Sequence, residues 1–146
     1  RTWNSHIYGS NLGYCPNTTY IGGSYAGGTF DGTTYIYHNQ LASNGTSYPG
    51  DFIQFFCPFS IDNSKIELTT NQIGKMPTLL HVLGTNDNIT FDFIASLNFG
   101  TENTGSQSVT SATKYRGFKL VIEKIGSNGI MASLSQFKIY GDIYAY

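Results

Sequence analysis

Residues 115–124, YRGFKLVIEK, alternate residue by residue and set Phe118, Leu120 and Ile122 on one side. A period of two belongs to a strand, because successive side chains of an extended chain point to opposite faces. DFIQFFCPF (51–59) places Phe52, Gln54 and Phe56 on one face and Ile53, Phe55 and Cys57 on the other. Apolar residues on both faces describe a strand covered on both sides, and Pro58 is expected to end it. In KIELTT (65–70), Ile66 and Leu68 share a face; LLHVLG (79–84) stops at Gly84, and TFDFIASL (90–97) follows. LSQFKIYGDIY (134–144) sets Phe137 and Ile139 against Gln136 and Lys138. Short strands separated by turns predict an antiparallel β-sandwich or barrel. Helix is limited to one or two turns, near Asn63–Lys65 or Met76–Leu79.

The N-terminal third reads differently. TYIGGSYAGGTFDGTTYIYHNQ (19–40) has β-prone pieces at Tyr20–Ile21 and Thr34–Tyr37, broken by glycine pairs. Glycine at that density prevents a helix of any length and suits loops and short edge strands.

Composition removes several function classes. Only 12% of the 146 residues are charged and the net charge is −1. Nucleic-acid binding is therefore not expected, since no basic excess exists to displace counterions from a polyphosphate. No apolar run approaches the ~20 residues that span a bilayer, so membrane insertion is not expected either. At 40% hydrophobic and 15% aromatic content the chain holds enough apolar surface for one core, and residues 1–146 read as a single domain. Its start at Arg1 reads as a processed form or an excised module, and the lack of a leader carries no information on secretion.

The segment GTNDNITFDF (84–93) holds two carboxylates, Asp87 and Asp92, next to polar turn residues. It reads as a catalytic or metal loop, a sugar attachment point at Asn88 or a plain hairpin, since Asn and Asp hydrogen-bond nearby backbone in tight turns.

Taken in order, GDFIQFFCPFSIDNSKIEL, MPTLLHVLGTNDNITFDFIASL and YRGFKLVIEKIGSNGIMASLSQFKIYG resemble the discoidin, coagulation-factor C-type module. The matching positions include Gly50, Ile53, Gln54, Pro58, Pro77, Gly84, Asn86, Asp87, Tyr115, Arg116, Leu120, Ile122, Phe137, Tyr140 and Gly141. Asp31 and Gly32, with Thr33 or Thr34, resemble the family's Asp-Gly segment, so the likeness covers roughly residues 20–142. It implies an all-β, galactose-binding-domain-like jelly roll, in which residues 84–87 are a scaffold turn and Phe91 a core aromatic, and a non-catalytic surface or adhesion module that recognises glycans or a cell-surface partner. The residues suited to sugar contact are Tyr25, Tyr35, Tyr37, His38, Asn39 and Tyr48, with Asn44 beside them: tyrosine faces stack on sugar C–H surfaces and amides read hydroxyls. The alternative is a structural assembly domain of a viral capsid, tail or extracellular fibre, self-associating and binding no sugar.

The resemblance also implies a structural Ca²⁺ held by Asp31, Thr33, Thr34 and the final-strand position, here Gln136. Glutamine keeps a carbonyl oxygen but lacks the charge of the usual glutamate, which weakens a hard-cation site. The competing reading is an Asx turn at Asp31 with Gln136 bonded to its loop. Cys15 and Cys57 form either one disulfide or two buried thiols; a bridge would close a loop of about 40 residues and stabilise by a few kcal/mol. Acceptor triplets at Asn17, Asn44 and Asn88 favour an extracellular or virion-surface setting. Arg116 reads as a strand residue that stacks or pairs, and His81 as a core or half-buried histidine. Catalysis finds no support: GGSYAGG (22–28) is neither a nucleophile elbow nor a phosphate loop.

Overall fold

Strand β11 (Tyr115–Ile125) is the centre of the architecture, flanked on one side by β7 (Asp51–Thr69) and on the other by β8 (Pro77–Thr85). The computed structural model describes residues 5–8, 21–22, 30–31, 34–35, 39–70, 73–110, 113–126 and 136–144. The other strands are β1 (Ser5–Tyr8), β2 (Ile21–Gly22), β3 (Phe30–Asp31), β4 (Thr34–Tyr35), β5 (Asn39–Leu41), β6 (Ser47–Pro49), β9 (Asp92–Asn98), β10 (Thr104–Ser108) and β12 (Gln136–Tyr144). Among the described residues the one helical piece is a 3₁₀ turn at Ile73–Lys75.

The long strand β7 serves two layers. Its first half, Asp51–Phe56, pairs with Ile122–Gly117 of β11; its second half pairs with β12 on one side and β10 on the other. The first layer then runs β7–β11–β8–β9, and the second runs β10–β7–β12–β1, with β1–β12 parallel and every other described pairing antiparallel. Between them, Leu80, Val82, Phe118, Leu120 and Ile122 meet Ile66, Leu68, Phe137 and Ile139, each at most 2% exposed. Each such side chain contributes roughly 1.5–3 kcal/mol on burial, which holds the layers together. The antiparallel sandwich expected from the alternation is the observed fold.

Two local expectations fail. Pro58 does not end its strand, because β7 continues to Thr69. Among the described residues, 57–59 have no ladder partner in either register, so a missing N–H costs none of that pairing where the strand crosses from one layer to the other. Asn63–Lys65 are strand rather than helix, with an irregularity opposite Tyr140/Gly141, and β8 already begins at Pro77. Pairing with β12 outweighs the local turn preference there.

Candidate functional site

The outer face of the first layer is not bare. Residues Lys119 and Val121 of β11 and His81 and Leu83 of β8 point away from the main core, and the β5–β6 hairpin lies over them. Ala42, Leu83, Phe91 and Val121 form a second apolar cluster, with Tyr48 and Phe52 packed against it. The hairpin is thus held by burial on a face that a free-standing sheet would give to water.

Polar contacts fix the hairpin at both ends. At its tip, Ser43 N–H donates to the Phe91 carbonyl (2.7 Å) and Ser43 Oγ donates to Asp92 Oδ1. Asp92 Oδ2 accepts from the Tyr115 hydroxyl (3.1 Å). Burial, and then the Asp92 carboxylate, push the Tyr115 hydroxyl above the usual phenol range. Near its base, Lys119 Nζ donates to Gln40 Oε1 (3.2 Å) and lies 4.1 Å from the Phe91 ring centre and 4.9 Å from that of Phe52. Desolvation lowers the Lys119 ammonium pKa.

The turn after β8 builds itself. Asp87 Oδ1 accepts N–H groups of Ile89 (2.9 Å) and Thr90 (2.8 Å), and Thr85 Oγ1 accepts that of Asn88 (2.9 Å). Those backbone bonds hold the Asp87 carboxyl below its ordinary range. Asn88 adopts φ 61°, a left-handed conformation that asparagine tolerates, and its Oδ1 accepts from Gln54 Nε2 (2.9 Å). Between this turn and the hairpin tip is a shallow cavity of ≈ 180 Å³ lined by Leu41, Ala42, Ser43, Ile89, Thr90 and Phe91.

Beside the hairpin is a connected polar group. His81 Nδ1 is 2.7 Å from Ser96 Oγ, and Nε2 is 2.7 Å from Glu123 Oε1. A carboxylate only accepts, so Nε2 carries a proton, and in the neutral ring Nδ1 accepts the Ser96 hydroxyl. The Tyr48 ring lies 4.8 Å from the His81 ring and is stacked on Phe93 at 4.9 Å and 8°. The order Ser–His–Glu has the connectivity of a nucleophile, base and orienting acid. Ser96 nevertheless lies inside strand β9, where among the described residues no turn aims backbone N–H groups at a developing oxyanion.

No family model matches the sequence, and no curated protein matches it. Solved structures do. A family 32 carbohydrate-binding module of Clostridium perfringens (CpGH89CBM32-5), in complex with GalNAc-β-1,3-galactose, is 17% identical with TM-score 0.56, over 86% of this chain and 94% of that one. The family 32 module of C. perfringens NanJ, in complex with galactose, is 16% identical with TM-score 0.56, over 84% and 92%. The family 32 module of Streptococcus pneumoniae EndoD is 6% identical with TM-score 0.57, over 88% and 98%. The fold is the discoidin-like, galactose-binding-like sandwich of family 32 carbohydrate-binding modules.

Within this sandwich the candidate residues from the sequence separate. Asn39 is exposed on β5, while Tyr48 is half-buried under the aromatic stack and its hydroxyl accepts from Asn44 Nδ2 (3.3 Å). Tyr25, Tyr37 and His38 lie outside the described residues, as do Thr33, Cys15 and Asn17; for Tyr35, Asp31, Thr34, Gln136 and Cys57 only the backbone is described. Asp31 pairs with Thr34 across β3–β4, Thr34 faces Lys124 of β11, and Gln136 pairs with Thr69. Among the described residues no three His, Cys, Asp or Glu side chains form a metal-sized group. Asn44 is exposed in the hairpin turn, where its Oδ1 accepts the Thr46 N–H (2.9 Å), whereas Asn88 is half-buried.

The remaining sequence readings can be placed directly. Phe91 is a core aromatic at 6% exposure, though of the second cluster. Arg116 stacks 4.5 Å over the Phe56 ring, and His81 is 6% exposed. Sequence reasoning missed Phe93, Ser96 and Glu123. Alternation alone puts Phe93 and Ser96 on opposite faces; an irregularity opposite Val82/Leu83 brings both outward.

Proposed function

We propose that this chain is a non-catalytic module that recognises glycans through Tyr25, Tyr35, Tyr37, His38, Asn39 and Tyr48. The observation that carries the reading is the likeness of its sandwich to carbohydrate-binding modules, two of them with sugar bound, over more than four-fifths of the chain. Its β5–β6 hairpin agrees with it: Asn39 is solvent-facing, and Tyr48 is held in one orientation by Phe93 and His81. Rigid aromatic and amide groups on a preorganised scaffold lose little entropy on binding a sugar. Single sites of this kind are weak, and several copies would supply avidity. Glycans of that kind set the module outside the cell or on a virion surface.

Calcium would enter only as a structural ion of the Asp31 loop. That set has one carboxylate, because Gln136 stands where a glutamate would add a second, so the ion would be held weakly. A calcium titration followed by thermal unfolding decides it: a raised midpoint supports the ion and an unchanged one overturns it.

The test of the main reading is a glycan array with the folded domain displayed multivalently. Selective binding that is lost in Tyr37→Ala or His38→Ala supports it; a blank array overturns it. The assembly reading draws on one observation, the exposed aliphatic pair Leu41 (65%) and Ile89 (83%). A concentration-independent monomer in light scattering would overturn that alternative.

A further inference from the structure

His81 is a buried imidazole that holds two outward-facing polar groups, and of the described glycan-contacting residues named above Tyr48 alone packs against it. Its side chain is 8% exposed, yet the groups it bonds reach solvent: Ser96 is exposed and the Glu123 side chain is 21% exposed. Only Oε1 of Glu123 is engaged by His81, so Oε2 remains to accept a further hydrogen bond. Phe93, 37% exposed, is backed on one ring face by Tyr48. Leu83 and His81, the partners of Phe93 and Ser96, are two residues apart on β8, which spaces Phe93 and Ser96 by roughly 7 Å. Asn98, exposed and opposite half-buried Leu79, continues the same face.

We infer that this face is a second saccharide platform, for a neutral sugar. The inference rests on the glycan-binding reading and adds a site that shares only Tyr48 with the residues named there. The Phe93–Tyr48 stack offers an aromatic wall to the C–H surface of a pyranose. Glu123 Oε2 accepts from a sugar hydroxyl, and Ser96 and Asn98 take or give a second bond. His81 acts as a positioning residue: by bonding Ser96 and Glu123 together it fixes both before the sugar arrives. Of the cations nearby, Lys119 is buried and bonded to Gln40 while Lys124 is exposed opposite Leu79, so at Glu123 Oε2 itself the carboxylate sets the charge. Carboxylated or sulfated sugars are therefore rejected.

The test is a titration of the ¹⁵N-labelled full chain with methyl glycosides of neutral hexoses and N-acetylhexosamines, and separately with N-acetylneuraminic acid. Amide shifts at Phe93, Ser96 and Asn98 are expected with a neutral sugar and absent with the acidic one. Glu123→Gln should weaken that set of shifts about tenfold or more, as for a bond to a charged group. Phe93→Ala should weaken it by up to about tenfold. Ser96→Ala, which also leaves His81 Nδ1 without its partner, should weaken the same set, and an otherwise unchanged amide spectrum shows that each variant is folded. Shifts confined to other residues, unchanged in Glu123→Gln and Ser96→Ala, would overturn the second platform and leave the glycan reading standing. No response to any glycan in titration or array would overturn both.

Discussion

The turn at residues 86–90 and the β5–β6 hairpin lie side by side on the same outer face, yet they are held in different ways. The turn is closed by its own residues: Thr85 and Asp87 accept N–H groups two and three positions along the chain. The hairpin has a local turn bond as well, Gly45 N–H to the Ala42 carbonyl with Gly45 at φ 85°. Its position over the sheet, however, depends on Ser43 meeting Asp92, Gln40 meeting Lys119 and Tyr48 packing on Phe93 and His81. The first element would retain its shape while its surroundings changed. The second would lose its place if the face beneath it were altered, and any ligand group it carries would move with it.

Substitutions can separate these two kinds of support. The largest effect is expected from Gly84→Ala, just before the self-built turn, where an added Cβ would lie 2.5 Å from the Tyr115 ring and 2.9 Å from Ile94 Cδ1. Overpacking of that degree costs about 2–3 kcal/mol, and urea unfolding should show a lower midpoint with unchanged slope. Tyr48→Ala removes the stack on Phe93 and should cost about 1–2 kcal/mol for a half-buried ring. Its sharper signature is local: hydrogen exchange should quicken through Asn39–Pro49 while the 85–90 amides stay protected. Equal loss of protection in both segments would contradict the difference in support.

Thr85→Val tests the turn from the other side. It leaves the Asn88 N–H without its acceptor at a buried position, at about 1 kcal/mol, and exchange should quicken at Asn88 and not at Ser43. The smallest effect is expected from acid. Asp87 has a depressed folded pKa, so its contribution is complete above the ordinary carboxylate range and is lost as pH falls through the depressed value. Asp87→Asn should flatten that part of the acid limb of a stability–pH profile, and an unaltered limb would show that its two backbone bonds do not depend on the charge.

The turn was legible in the sequence because its bonds join residues two or three apart, and Asx chemistry at Asn86–Asn88 acts over that range. Asn86 itself does more than was expected, accepting the Arg116 N–H (3.0 Å) across to β11. The strands were legible for a similar reason, since alternation of apolar residues records which face meets the core. That alternation, in β7, β11 and β12, specified an antiparallel sandwich or barrel, and only the resemblance of the motif segments added the discoidin kind. What the tertiary structure alone decided is the composition of the outer face. Ser96, His81 and Glu123 come together across separations of 15 and 42 residues, Ser43 and Asp92 across 49, and Gln40 and Lys119 across 79. Local preference carries no information over such distances: strand register, a one-residue irregularity in β9 and the crossing of β7 past Pro58 place these groups, and each is fixed by pairing and packing with a distant strand.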